Sequence, residues 1–125
     1  MVVDVSQDDG ARQLISATID KFGRLDVLVN NAGIAKKVFL AEPDVVAAMD
    51  EVYRVNVRAL LLLTQLASEH LIKSGGNIVN VSSVASTRPG HGSIPYSVSK
   101  AAVDMVTQCS AIELGGKGVR VNSLK

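Results

Sequence analysis

The sequence has no tryptophan, two tyrosines and two phenylalanines, so aromatic residues make up 3% of its 125 positions. That argues against an aromatic stacking platform of the kind that holds single-stranded nucleic acid, and leaves any core to be filled by Val, Leu, Ile and Ala. A single cysteine, Cys109, rules out a disulfide within one chain. Its place on an apolar helical stripe predicts a buried, inert thiol. His70 and His91 are too few and too isolated to propose a metal. Thirteen basic residues against twelve acidic ones give a net charge of +1, so neither nucleic acid nor a membrane surface is expected to attract the chain. The longest apolar run, near Val57 to Leu63, is far too short to span a bilayer. Met1-Val2-Val3 is followed at once by Asp4 and polar residues, so no leader peptide is expected from these residues, and the cytoplasm is the default expectation.

A phosphate-cradling glycine turn is also missing. The glycine clusters are Gly75-Gly76, Gly90-His91-Gly92 and Gly115-Gly116-Lys117-Gly118, and none fits G-x-G-x-x-G after a strand. Two of them follow helical stretches, where glycine is the expected C-cap.

What is present is an alternation of elements within, at most, one domain. Val2 to Val5 reads as a strand. Ser6 is then expected to cap a helix whose apolar stripe is Ala11, Leu14, Ile15, Ile19 and Phe22, ending near Gly23. Val27 to Asn30 is the next strand. Asp44 to about Lys73 is helical, too long for one mean helix, with a break expected near Asp50. Asn77 to Ser82 is a strand, and a loop through Pro89, Gly90, Gly92 and Pro95 leads into a helix with Val98, Ala102, Met105, Val106, Cys109 and Ile112 at helical spacing. A last strand starts at Val119. Such β-α alternation predicts parallel strands joined by right-handed crossovers, hence an α/β fold built on a doubly wound sheet.

Candidate chemistry lies in Tyr96-Ser97-Val98-Ser99-Lys100, with Ser83 thirteen residues upstream at the end of an apolar run. Residues four apart on a helix share a face, so a phenol and an ammonium can enter one pocket. An unperturbed tyrosine ionises near pH ~10, and a fixed cation beside it favours the phenolate. Upstream, Leu25 to Asn30 reads as a buried strand closed by Asn30-Asn31-Ala32-Gly33, where Gly33 lets backbone approach a ligand. Asn56 is a lone amide in an apolar stretch and must find partners there.

These segments, with Ile78-Val79-Asn80-Val81-Ser82-Ser83 and Gly118-Val119-Arg120-Val121-Asn122-Ser123, stand in the order and spacing of one family. The chain resembles the short-chain dehydrogenases/reductases of the classical type over almost its whole length. The resemblance implies an oxidoreductase that moves hydride between NAD or NADP and a small-molecule alcohol or carbonyl. It implies that Tyr96 is the general acid/base, that Ser83 rather than Ser82 hydrogen-bonds the substrate, and that Lys100 holds the nicotinamide ribose while lowering the tyrosine's pKa. Asn56 would hold a water in the proton relay. Asp4 and Val5 would contact adenine, and the backbone of Asn30, Asn31, Ala32 and Gly33 the adenosine ribose.

By the same resemblance the chain starts at the family's third strand and stops before its Asn-Pro-Gly segment. It would then be a partial Rossmann-like domain over residues 1–125, without the first two strands and the glycine-rich turn. In the family's strand order, Val2–Val5 would be orphaned or forced onto the strand ending at Asn30. The isolated fragment is expected to bind cofactor poorly and to rely on a partner for stability. The alternative is a non-catalytic interaction protein, a homo- or hetero-oligomer formed through the helices at 44–73 and 96–114.

Overall fold

A computed structural model describes all of residues 1–125. Its elements are α1 (Asp8–Phe22), β1 (Val27–Asn30), α2 (Val45–Tyr53), a π-helical turn (Arg54–Ala59), α3 (Leu60–Ser74), β2 (Asn77–Val81), a 3-10 turn (Val84–Ser86), α4 (Ile94–Gly115) and β3 (Arg120–Leu124). The three strands form one parallel sheet in the order β1-β2-β3. Leu28 lies opposite Ile78, and Ile78 opposite Val121.

Two successive crossovers in the same direction put their helices on the same side of the sheet. Leu28, Ile78 and Val121 accordingly pack against Ala11 and Ile15 of α1 and Leu63, Ala67 and Leu71 of α3, forming the main core. The opposite face presents Val27, Val29 and Leu124 to solvent, each about half exposed or more. The α/β class and parallel strands agree with expectation, while helices cover one face of the sheet instead of two.

Five local readings are corrected. Val2–Val5 forms no strand: the sheet offers it no neighbouring ladder, Val2 is fully exposed, and Val5 leans on the core from its edge. Ser6 does not cap α1. Gln7 occupies the N-cap position without a side-chain bond to the helix backbone, and it is the Asp4 carboxylate that accepts from the Ser6 N–H at 2.9 Å, turning the chain into the helix. The break in the long helix falls at Arg54–Ala59, around Asn56, and not near Asp50. Cys109 is exposed, because α4 turns Val103 and Thr107 to the core and leaves Met105, Cys109 and Ile112 facing out. Phe22 is likewise exposed at the end of α1. No helix is long and apolar enough to cross a membrane.

Candidate active site

In a parallel sheet the crevice beyond the carboxyl ends of neighbouring strands is where side chains from several elements converge. Here β1 runs out into Asn31-Ala32-Gly33-Ile34, β2 runs out into Ser82-Ser83, and the first turns of α4 lie across both. Pro95 starts α4 without needing an N–H partner, which places Tyr96 in its first turn and Lys100 one turn on.

Lys100 is 4% exposed, and its ammonium donates a 2.7 Å hydrogen bond to the carbonyl of Val81, the last residue of β2. The same nitrogen sits 5.6 Å from the centroid of the Tyr96 ring, within cation–π range. Burial pushes the Lys100 ammonium below the usual lysine range, and Asp104, one turn further along α4, partly restores it. The two serines are separated by the pleat. Ser82 is buried and donates its hydroxyl to the Lys100 carbonyl at 3.3 Å. Ser83, half-buried in extended backbone, accepts from the Ala85 N–H at 3.1 Å and keeps its own proton free to donate.

Gly33 brings the β1 exit against this group. A Cβ there would lie 3.3 Å from Asn56 Oδ1 and 3.6 Å from Lys100 Nζ. Asn56, 1% exposed, uses its amide as a clamp: Oδ1 accepts from the Ile34 N–H at 2.8 Å, and Nδ2 donates to the Ile34 carbonyl at 2.9 Å and to Ser99 Oγ at 3.0 Å. Ser99 Oγ in turn donates to the Tyr96 carbonyl at 2.7 Å. Asn56 thereby fixes the β1 exit to the first turn of α4 from inside a π-turn, a helical irregularity common at functional sites. Its side chain is engaged with protein groups on both the donor and the acceptor side.

Asn30 points its amide inward, donating to Thr64 Oγ1 at 3.2 Å and to Asn80 Oδ1 at 2.9 Å, while Asn80 donates to Thr107 Oγ1 at 2.9 Å. This buried network joins β1, β2, α3 and α4 directly beneath the site. The Asn30 Oδ1 is buried without a hydrogen-bond partner. Asn80 escaped the sequence reading, although a lone amide in Ile78-Val79-Asn80-Val81 is the same signal that drew attention to Asn56.

Asp4 and Val5 do not meet Tyr96 or Lys100. Val5 lines a mainly apolar cleft of about 160 Å³ together with Asn30, Asn31, Ala32 and Leu63. The Asp4 carboxyl lies below its usual range, chiefly through its bonds to Ser6. A further contact was not foreseen from sequence. The Val38 N–H donates to the Gly92 carbonyl at 3.1 Å, and the Phe39 and His91 rings meet at 6.2 Å, joining the segment after β1 to the loop before α4.

Comparison with known proteins gives a consistent picture. The family model described as short chain dehydrogenase matches residues 1–125. L-fucose dehydrogenase of Bos taurus is 36% identical over 99% of this chain and 46% of its own length. The 3-oxoacyl-(acyl-carrier-protein) reductase of Thermotoga maritima is 38% identical over 98% of this chain and 50% of its own. A crystal structure of a short-chain dehydrogenase/reductase of unknown function from Caenorhabditis elegans, with cofactor, superposes with a TM-score of 0.92 at 36% identity, covering 99% of this chain and 47% of that one. ElxO with NADP bound superposes with a TM-score of 0.89 at 33% identity, covering 97% of this chain and 49% of that one. The chain therefore spans about half the length of the relatives it matches.

Proposed function

The chain belongs to the short chain dehydrogenase family, and we propose that it carries the catalytic face of an NAD- or NADP-dependent oxidoreductase acting on a small alcohol or carbonyl compound. The observation that carries this reading is the Lys100 ammonium, buried, 5.6 Å from the Tyr96 ring and bonded to the strand end that leads to Ser83. In the oxidation direction the Tyr96 oxygen takes the proton of the substrate hydroxyl while Ser83 donates to the substrate oxygen. When bound, the nicotinamide accepts the hydride that leaves the same carbon; reduction reverses both transfers.

The residues present fit such a cofactor at its two ends. The cleft beside Val5 and Asn30–Ala32 suits the adenosine end, and the absence of a Cβ at Gly33 keeps the space beside Lys100 open on the nicotinamide side. None of the ten glycines stands in a short strand-to-helix turn, so no cradle serves the pyrophosphate. The chain alone is therefore expected to bind NADH or NADPH without saturating at micromolar concentration, followed by nicotinamide fluorescence. Micromolar saturation would remove the claim of impairment, and no binding even at millimolar cofactor would remove the oxidoreductase reading for this chain. Tyr96→Phe is expected to leave that titration unchanged and to lower any alcohol–ketone turnover by about 10²- to 10⁴-fold. An unchanged rate would take the proton transfer away from Tyr96.

A second reading, a non-catalytic interaction protein, is favoured by the outward stripe of α4, where Val98, Met105 and Ile112 are 45%, 57% and 82% exposed without a charge among them. Together with Leu61 of α3, half exposed, this stripe suits pairing with a second copy. Light scattering of the purified chain is expected to give a dimer that Ile112→Lys converts to monomer. A monomer at all concentrations would exclude this reading.

A further inference from the structure

Lys100 is an ammonium almost removed from water, and no carboxylate lies within ion-pair distance of it. A buried cation held by a single carbonyl is costly unless a negative charge stands behind it. The same face of α4 carries one. Asp104 is four residues on, its side chain is 16% exposed, and its Oδ2 meets the ammonium of Lys125, just past β3, at 2.8 Å. Asp104 Oδ1 is buried with no hydrogen-bond partner, and so is the Ser86 hydroxyl, which belongs to the turn that follows Ser83 and lies near this carboxylate. Burial pushes the Asp104 carboxyl up, but Lys125 with the Ser82 and Ser86 hydroxyls outweighs it, so the group stays charged below its usual range.

We propose that Asp104 is the positioning residue of this site: its carboxylate ties α4 to the end of β3 through Lys125 and supplies the negative charge that the buried Lys100 ammonium otherwise lacks. The proposal rests on reading Tyr96 and Lys100 as the acid/base pair, but its consequence is measurable without turnover. Lys125, 40% exposed, is screened by water far more than Asp104, so the pair does not cancel and a net negative field remains on the inner side. The other groups facing Lys100 are Tyr96 on α4, the Val81 carbonyl on β2, and the Asn56 amide beside Gly33; none of them is a carboxylate.

The test is a pH titration of Lys100 in the whole chain, read by NMR of isotopically labelled lysine side chains. Asp104→Asn is expected to lower the Lys100 midpoint and to shift the amide resonances of Ser83 to Ser86. Asp104→Glu should leave both near those of the parent. Lys125→Met should move the midpoint the other way, upward, because the carboxylate then acts on Lys100 alone. A midpoint that stays in place in Asp104→Asn, or that falls in Lys125→Met, overturns the proposal. Should Asp104→Asn fail to fold, the exposed Lys125→Met variant decides by itself. The NADH titration separates the two readings. Midpoints that move as stated without cofactor binding would remove the oxidoreductase reading and leave the role of Asp104 standing. Unmoved midpoints with cofactor bound would remove only the latter.

Discussion

Gly76→Ala is expected to lower the unfolding free energy by about 3 kcal/mol or more, measured by urea denaturation followed by circular dichroism. Gly76 is buried between the end of α3 and the start of β2, where its N–H donates to the Leu71 carbonyl at 2.9 Å and its carbonyl accepts from Arg120. An added Cβ would overlap the Asp26 carbonyl oxygen and lie 2.8 Å from Leu71 Cδ2. The leucine can rotate away, but the carbonyl cannot, because Asp26 is fixed by the Asn77 N–H at 2.9 Å as β1 and β2 begin their pairing. Relief would have to separate the two strands that later place Gly33 and Ser83.

Its neighbour provides the control. Gly75 adopts φ 63° as the C-cap of α3, with nothing within 4 Å of a Cβ, so Gly75→Ala meets only the left-handed backbone cost of about 1–2 kcal/mol. Equal losses at the two positions would show that strand spacing here is softer than the geometry implies.

Much of this arrangement was legible in the chain, and the failures share a cause. Period and capping signals act over a few residues, so α1, β1, β2 and α4 fall close to where alternation and glycine place them. Val2–Val5 carries an equally good strand signal, yet strand formation needs a neighbouring ladder, and residue preference cannot supply one. Cys109 shows the converse: helical spacing identifies an apolar stripe without revealing which of two stripes on α4 meets the sheet. The residues that meet at the site, Tyr96, Lys100, Ser83, Gly33 and Asn56, could be named in advance because their segments carry a family pattern. The clamp made by Asn56, the Asn30–Asn80–Thr107 network and the contact between Phe39 and His91 depend on partners 22 to 52 residues away, which no local pattern encodes.

Asn56 separates a clamp from a water-holder most sharply, and Asn56→Ala is expected to cost about 3 kcal/mol in the same denaturation measurement. Truncation leaves the Ile34 N–H and carbonyl without their partner and opens a void beneath Gly33; a buried polar group left unpaired costs about 1–3 kcal/mol. The Ser99 hydroxyl has a second partner in the Tyr96 carbonyl, so its own loss is milder. A double-mutant cycle between Asn56→Ala and Ser99→Ala should therefore return a coupling of about 0.5–1 kcal/mol, well below the single-site cost of Asn56. The imbalance carries the argument: if Asn56 mainly positioned a water, its replacement would weaken catalysis with little effect on folding. A loss under 1 kcal/mol would accordingly return Asn56 to the proton path, while the larger loss makes it the joint that holds the β1 exit against the helix bearing Tyr96 and Lys100.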